Sequence, residues 1–348
     1  MTVATQEVVS KGYKRPNYGV FRFLPNSWIP YAELMRLDRL SGFWAFYWHY
    51  LIGLGYVINL PPVSHDIDPK TLIFLAAYLS LWTTIFRGIT CTWNDNLDQD
   101  YDRQVARCQF RPIARHAVAS SEAHLFTAAQ IAIGALVLSP CQRSVLIHAA
   151  VNGVLLFVYP LLKRFTDFPQ VELGFGLSYA IFTVAAILEK DPLNPLWDST
   201  SNFLSRVQIV MGSPLARSSI CLYAAGILWC IIFDTVYAHQ DYEVDLKAGV
   251  KGLAVRLGRN GTKPALFLAA SIQVYFLVLT GQFAGFGTRY YAISCAGAAV
   301  MLIAMLWTVK LRDNTSCAWW FGPGSACVGA LVTIGLFAEF FAKKQDYR

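Results

Sequence analysis

Nine apolar stretches alternate with short polar connections along this chain, approximately at 40–60, 71–91, 121–140, 141–162, 171–189, 216–237, 263–280, 288–308 and 320–342. About 20 apolar residues suffice to carry a helix across roughly 30 Å of hydrocarbon, so the pattern predicts nine transmembrane helices. The chain therefore reads as an all-α, polytopic membrane bundle without a separable soluble domain. A cytosolic arm is expected over 1–39, the membrane domain over 40–342 and a short tail over 343–348. The arm ends in an amphipathic stretch, IPYAELMRLDRLSGFW, in which Arg36 and Arg39 lie three apart and are expected to share a helix face. Pro192, Pro195 and Trp197 mark 190–215 as a surface loop followed by an interfacial segment. The loop at 61–70 carries two adjacent prolines and two acids.

Composition agrees with the pattern. Only 15% of the 348 residues are charged and 55% are hydrophobic, against about 25% charged in soluble domains. With the N-terminus in the cytosol, most of the 29 Lys and Arg fall on the cytosolic side, as the positive-inside bias requires. The net charge of +7 reflects that bias, so no nucleic-acid partner is expected. Eight scattered cysteines without CxxC spacing indicate neither a zinc site nor a disulfide framework. No apolar core precedes residue 40, so the first span is expected to serve as the membrane signal, and the arm lacks the amphipathic Arg/Ser pattern of a mitochondrial presequence. Two glycosylation sequons, Asn260-Gly261-Thr262 and Asn314-Thr315-Ser316, are expected in accessible cytosolic loops and so to stay unmodified.

Polar chemistry concentrates in two places. NDNLDQDYDRQVARCQFRP runs from Asn94 to Pro112 after the second span, and HQDYEVDLKAGVKG runs from His239 to Gly252 after the sixth. In a helix Asn94, Asp98 and Asp102 fall on one face with Asp95 beside it, and Asp241 and Asp245 repeat the four-residue step. Asp100 and Glu243 point elsewhere. Carboxylates crowded at the edge of an apolar chain repel one another unless they share a strong positive charge, and a divalent cation is the simplest candidate. Basic residues follow each cluster: Arg103, Arg107, Arg111 and Arg115, then Lys247 and Lys251 about Gly249, where the helix is expected to end. Acid for a metal beside base for an anion is what a Mg²⁺–diphosphate ligand requires. Both clusters and the Lys163–Arg164 pair fall on the cytosolic side. Arg87, inside the second span, needs a partner, which a nearby carboxylate or a bound anion would supply.

Together these residues resemble the UbiA-type membrane prenyltransferases. That family carries NDxxDxxxD after its second helix and DxxxD after its sixth, matched here by Asn94, Asp95, Asp98 and Asp102, then Asp241 and Asp245. The likeness extends through Arg107, Arg111 and Pro112, the YP..KR.T..PQ segment from Tyr159, YAHQD and K.GVK. It departs at Val244 and Gly252, where many relatives have QDxxDD and GVKS; neither change removes the DxxxD pair. The resemblance implies nine helices with a polar cytosolic cap around a central cavity, and Mg²⁺-dependent transfer of an isoprenoid, farnesyl above all, from its diphosphate to an aromatic carbon. It implies Asn94, Asp95, Asp98, Asp102, Asp241 and Asp245 as metal ligands. Asp98, Asp102, Asp241 and Asp245 are the catalytic core of that set. Arg107, Arg111, Lys163, Arg164, Lys247 and Lys251 are the expected diphosphate binders. Partners are the prenyl diphosphate, an aromatic acceptor and lipid, with no obligate protein partner. With its short arm, scattered cysteines and aromatic-rich early spans, the chain looks closer to fungal relatives that farnesylate aromatic polyketides in meroterpenoid pathways, which implies an endomembrane such as the endoplasmic reticulum. A 4-hydroxybenzoate polyprenyltransferase of ubiquinone synthesis, a terpene cyclase on the same fold and a non-catalytic scaffold are the alternatives.

Overall fold

The computed structural model describes residues 12–61, 67–106, 108–162, 164–197 and 202–346. Among them every regular element is a helix. Eight are long and apolar enough to cross a membrane: Pro69–Leu97, Ser120–Leu138, Arg143–Leu162, Pro169–Ile187, Pro214–Ala238, Leu253–Ala284, Tyr290–Thr308 and Asn314–Gln345. The remaining predicted span is the 18-residue helix Leu40–Val57, whose Trp44, Tyr47, Trp48, His49, Tyr50 and Tyr56 lower its hydropathy. Part of the predicted loop at 61–70, and the end of that at 190–215, lie outside the described residues.

The chain divides into two compact units, one built from the residues up to Phe43 together with Leu81–Leu138, the other from Trp44–Ser80 and Ser139–Arg348. In the first, the arm helix Ile29–Leu34 contributes Leu34 to a core with Ile113, Val118 and Ala123. That helix stops at Met35 because Arg36 adopts φ 58°, so Arg36 and Arg39 do not share the expected helix face. The turn lays the Arg36 and Arg39 carbonyls against the second span, where the Arg87 guanidinium donates to both, at 3.0 and 2.9 Å. Backbone oxygens thus fill the partner role expected of a carboxylate or anion.

In the second unit, Pro214–Ala238 packs against Leu253–Ala284 and Pro169–Ser178. Gly174 permits the latter approach: a Cβ there would lie 2.9 Å from the Ile227 carbonyl oxygen. Small residues at such crossings let helices approach where burial from water supplies no drive between them. The fifth span is interrupted at Tyr179, between Pro169–Ser178 and Ala180–Ile187. The seventh starts earlier than its hydropathy suggests, at Leu253, and is kinked at Gly258 with φ 62°. The 260–262 sequon is therefore helical, with Thr262 buried, rather than in an accessible loop.

Candidate functional site

The first acidic cluster belongs to the first unit. Asn94 and Asp95 lie in the last turn of the helix Pro69–Leu97, and the short helix Gln99–Asp102 follows a break at Asp98. The expected four-residue step nonetheless survives in the backbone. The Asp98 N–H donates to the Asn94 carbonyl at 2.9 Å, and the Asp102 N–H donates to the Asp98 carbonyl at 2.9 Å. Asp95, Asp98 and Asp102 are all buried, whereas the Asp100 side chain is 84% exposed and pairs with Arg103 at 2.7 Å. The helical phase read from the sequence thus separates the inward from the outward carboxylates.

Two arginines pair with carboxylates of the inner group. Arg36 Nη2 donates to Asp95 Oδ1 at 2.5 Å, and Arg111 Nη1 reaches Asp95 Oδ1 at 3.1 Å and Asp102 Oδ2 at 2.8 Å. Burial, with the Asp95 and Asp98 charges adding to it against Arg111, pushes Asp102 up to about 6. Burial opposes the Arg111 charge too, but Asp95 and Asp102 outweigh it and hold that group well above its ordinary value. Behind this group Arg115 Nη2 pairs with Glu33 Oε2 at 2.5 Å, while Tyr13 donates to Glu33 Oε1 at 2.7 Å and lies under the Arg115 guanidinium. The roles of Arg36, Glu33 and Tyr13 escape sequence reasoning. A glutamate inside the apolar stretch of the arm is the one available signal.

The second cluster caps the sixth span in the other unit. Asp241 precedes the helix Tyr242–Ala248, and the Asp245 N–H donates to the Asp241 carbonyl at 2.8 Å. Gly249, at φ 69°, ends the helix as expected, and Lys247 lies in its last turn. Lys251 is exposed and donates to the Phe165 carbonyl at 3.3 Å, and the Leu253 N–H donates to Gln170 Oε1 at 3.2 Å. The K.GVK loop thus meets the segment around Arg164, itself exposed. Glu243 turns away to Arg259 at 2.8 Å. The Thr262 hydroxyl donates to the Gly258 carbonyl and accepts from His239 Nε2 at 2.9 Å; burial, then Arg259, lowers the imidazole to about 4 and keeps it neutral. Arg107 and Lys163 lie outside the described residues.

Among the described residues no three His, Cys, Asp or Glu side chains are gathered closely enough to hold a metal. The donors of the first cluster still suit a hard cation. All are oxygens, and Asp95 is fully buried with Oδ2 lacking a hydrogen-bond partner.

The profile of the UbiA prenyltransferase family matches residues 42–333. Prenyltransferase ascA of Acremonium egyptiacum is 33% identical over 84% of this chain and 81% of its own length. Prenyltransferase stbC of Stachybotrys bisbyi is 34% identical over 89% and 88%. The mitochondrial 4-hydroxybenzoate polyprenyltransferase of Arabidopsis thaliana is 32% identical over 86% and 68%. In fold, the chain is similar to a UbiA homolog from Archaeoglobus fulgidus bound to DMAPP and Mg²⁺, with a TM-score of 0.63 and 16% identity over 90% of this chain and 99% of that one.

Proposed function

The chain belongs to the UbiA prenyltransferase family, and from that premise we propose that it transfers a farnesyl group from its diphosphate to a carbon of a phenolic polyketide in meroterpenoid synthesis. The observation carrying this reading is the repeat of one device: an aspartate pair at a four-residue step, closed by a backbone hydrogen bond, directly after each of two spanning helices. Asn94, Asp98, Asp102 and, through Oδ2, Asp95 would hold Mg²⁺ from one motif, and Asp241 and Asp245 from the other. When bound, the metal neutralises charge on the departing diphosphate. Asp95 keeps Arg36 and Arg111 in place; the two guanidiniums offset the carboxylates' mutual repulsion. Arg107, Arg111, Lys163, Arg164, Lys247 and Lys251 supply charge-assisted donors to the diphosphate oxygens.

Carbon–oxygen cleavage leaves an allylic cation, which apolar walls shield from water until the electron-rich ring attacks it. The ring carbon then loses its proton, and the aromatic product leaves toward the bilayer. The active face looks into the cytosol from an endomembrane, with lipid supplying the donor laterally.

The test uses isolated membranes, Mg²⁺, labelled farnesyl diphosphate and phenolic acids including 2,4-dihydroxybenzoic acid. A prenylated phenol is the expected product. Hydrocarbon formed without any acceptor points instead to cyclisation, and membranes inert with every donor overturn the enzymatic reading. The similarity to the Arabidopsis 4-hydroxybenzoate enzyme favours a second reading, in which 4-hydroxybenzoate is the acceptor. Including it in the panel separates the two.

A further inference from the structure

Between Gly12 and Ala32 the chain carries Lys14, Arg15 and Arg22 and no acid. The first acid beyond, Glu33, is buried in its pair with Arg115. The segment has a small core of its own, in which Phe21 packs with Ile29 and Ala32. Hydrogen bonds hold its shape. Arg15 donates to the Asn26 side chain and to the Phe21 carbonyl at 3.4 Å, and Arg22 Nε donates to the Asn17 carbonyl at 3.3 Å. Outside that core the segment displays large rings: Tyr18 is 51% exposed, Trp28 64% and Phe23 86%. Lys14, Arg15 and Arg22 are exposed as well. Clustered aromatic surface of this kind marks a contact with a partner or a membrane.

One bond fixes the level of the segment. The Tyr18 hydroxyl donates to the Asp38 carbonyl at 2.9 Å. Asp38 lies two residues before Leu40, the exposed first residue of the spanning helix Leu40–Val57. Consecutive Cα atoms are about 3.8 Å apart, so Asp38 is at most about 8 Å from the residue where the span begins. Tyr18 therefore stands at headgroup depth, where tyrosine and tryptophan rings collect in membrane proteins. Rings that enter the boundary, with basic side chains beside them and no acid in the same stretch, complement an anionic lipid surface. An acidic soluble protein would match the charge but not the level.

We infer that residues 12–28 form a clasp for anionic phospholipid, in which Lys14 and Arg22 meet the headgroup and Tyr18, Phe23 and Trp28 enter the boundary beneath it. Arg15 is bound within the segment and keeps its shape. The clasp belongs to the arm whose Arg36 reaches Asp95, so it lies on the membrane face that carries the first acidic motif. It needs no prenyl substrate and is independent of the proposed reaction.

The experiment uses the full-length protein with Phe23→p-benzoylphenylalanine or Trp28→p-benzoylphenylalanine, in nanodiscs of phosphatidylcholine with a minor share of phosphatidylserine. Irradiation joins the benzophenone to the molecule lying against it, and the mass of the adduct identifies that molecule. Lipid adducts are expected at both positions, with phosphatidylserine enriched at least about threefold over its share of the bilayer. The same label at Phe267, an exposed ring of the helix Leu253–Ala284, should take the two lipids in their bilayer proportion. Adding Lys14→Gln and Arg22→Gln should return the adducts at 23 and 28 to that proportion while they remain lipid adducts. Absence of lipid adducts at both positions overturns the clasp, as do adducts to another protein alone when native membranes are irradiated. Enrichment that survives the loss of both bases overturns it too. Equal enrichment at Phe267 has the same force, because the attraction then belongs to the protein as a whole.

Discussion

Asp95 illustrates how much one buried carboxylate depends on its neighbours. It is fully buried and its Oδ1 meets two guanidiniums, one supplied by Arg36 from the arm. Removing one partner of a buried ion pair typically costs about 3–5 kcal/mol, because the other charge stays behind. Arg36→Met is therefore expected to lower the thermal midpoint in detergent sharply, whereas Asp100→Ala, at an exposed pair, should stay within about 0.5 kcal/mol of the parent. Equal midpoints for the two variants would show that Arg36 does not hold Asp95. The motif spacing made the inward phase of Asp95, Asp98 and Asp102 legible in advance. It could not reveal Arg36 as a partner, because the φ 58° turn that aims this residue has no periodic signature and involves a residue type seldom found in that conformation.

At the scale of elements, hydropathy anticipated the spans closely, since each need only exceed the bilayer thickness. It missed what polar and small residues do within them: the interruption at Tyr179, the Gly258 kink and the extension of the seventh span back to Leu253. Gly174 is a case where packing alone forbids a larger residue. A Cβ there meets the Ile227 carbonyl oxygen, so Gly174→Val is expected to cost about 1–3 kcal/mol through overpacking. A thermal midpoint equal to the parent's would mean the two helices separate freely. Lys251 tests a loop instead. It is exposed and touches the Phe165 carbonyl, so its charge has a local address as well as a topological one. Exchanging Lys251 with the neighbouring Val250 inside the short loop between Ala248 and Leu253 should preserve insertion yet weaken prenyl diphosphate binding about tenfold, the equivalent of ~1.4 kcal/mol. Unchanged affinity would return Lys251 to a purely topogenic role.

For the whole molecule, the proposed orientation, with both acidic motifs on the cytosolic side, is the one that the bias of Lys and Arg predicts. Asn314 reports on that orientation: it is exposed at the start of the helix Asn314–Trp319 and sits in a glycosylation sequon. Expressed through the endoplasmic reticulum, the protein should carry no glycan there, and a glycan would place that end of the ninth span in the lumen. The 260–262 sequon is a poor reporter because Thr262 is buried in a helix. The most direct measurement of the central claim compares prenyl transfer by the parent protein with Asp98→Ala, Asp102→Ala, Asp241→Ala and Asp245→Ala at equal inserted protein, with Mg²⁺ and with excess chelator. The account predicts turnover in the parent that chelator abolishes, and a loss of at least about a hundredfold in each variant, the scale at which removing a group that stabilises transition-state charge is felt. Full activity in chelator, or near-parent activity in variants from both motifs, would contradict it.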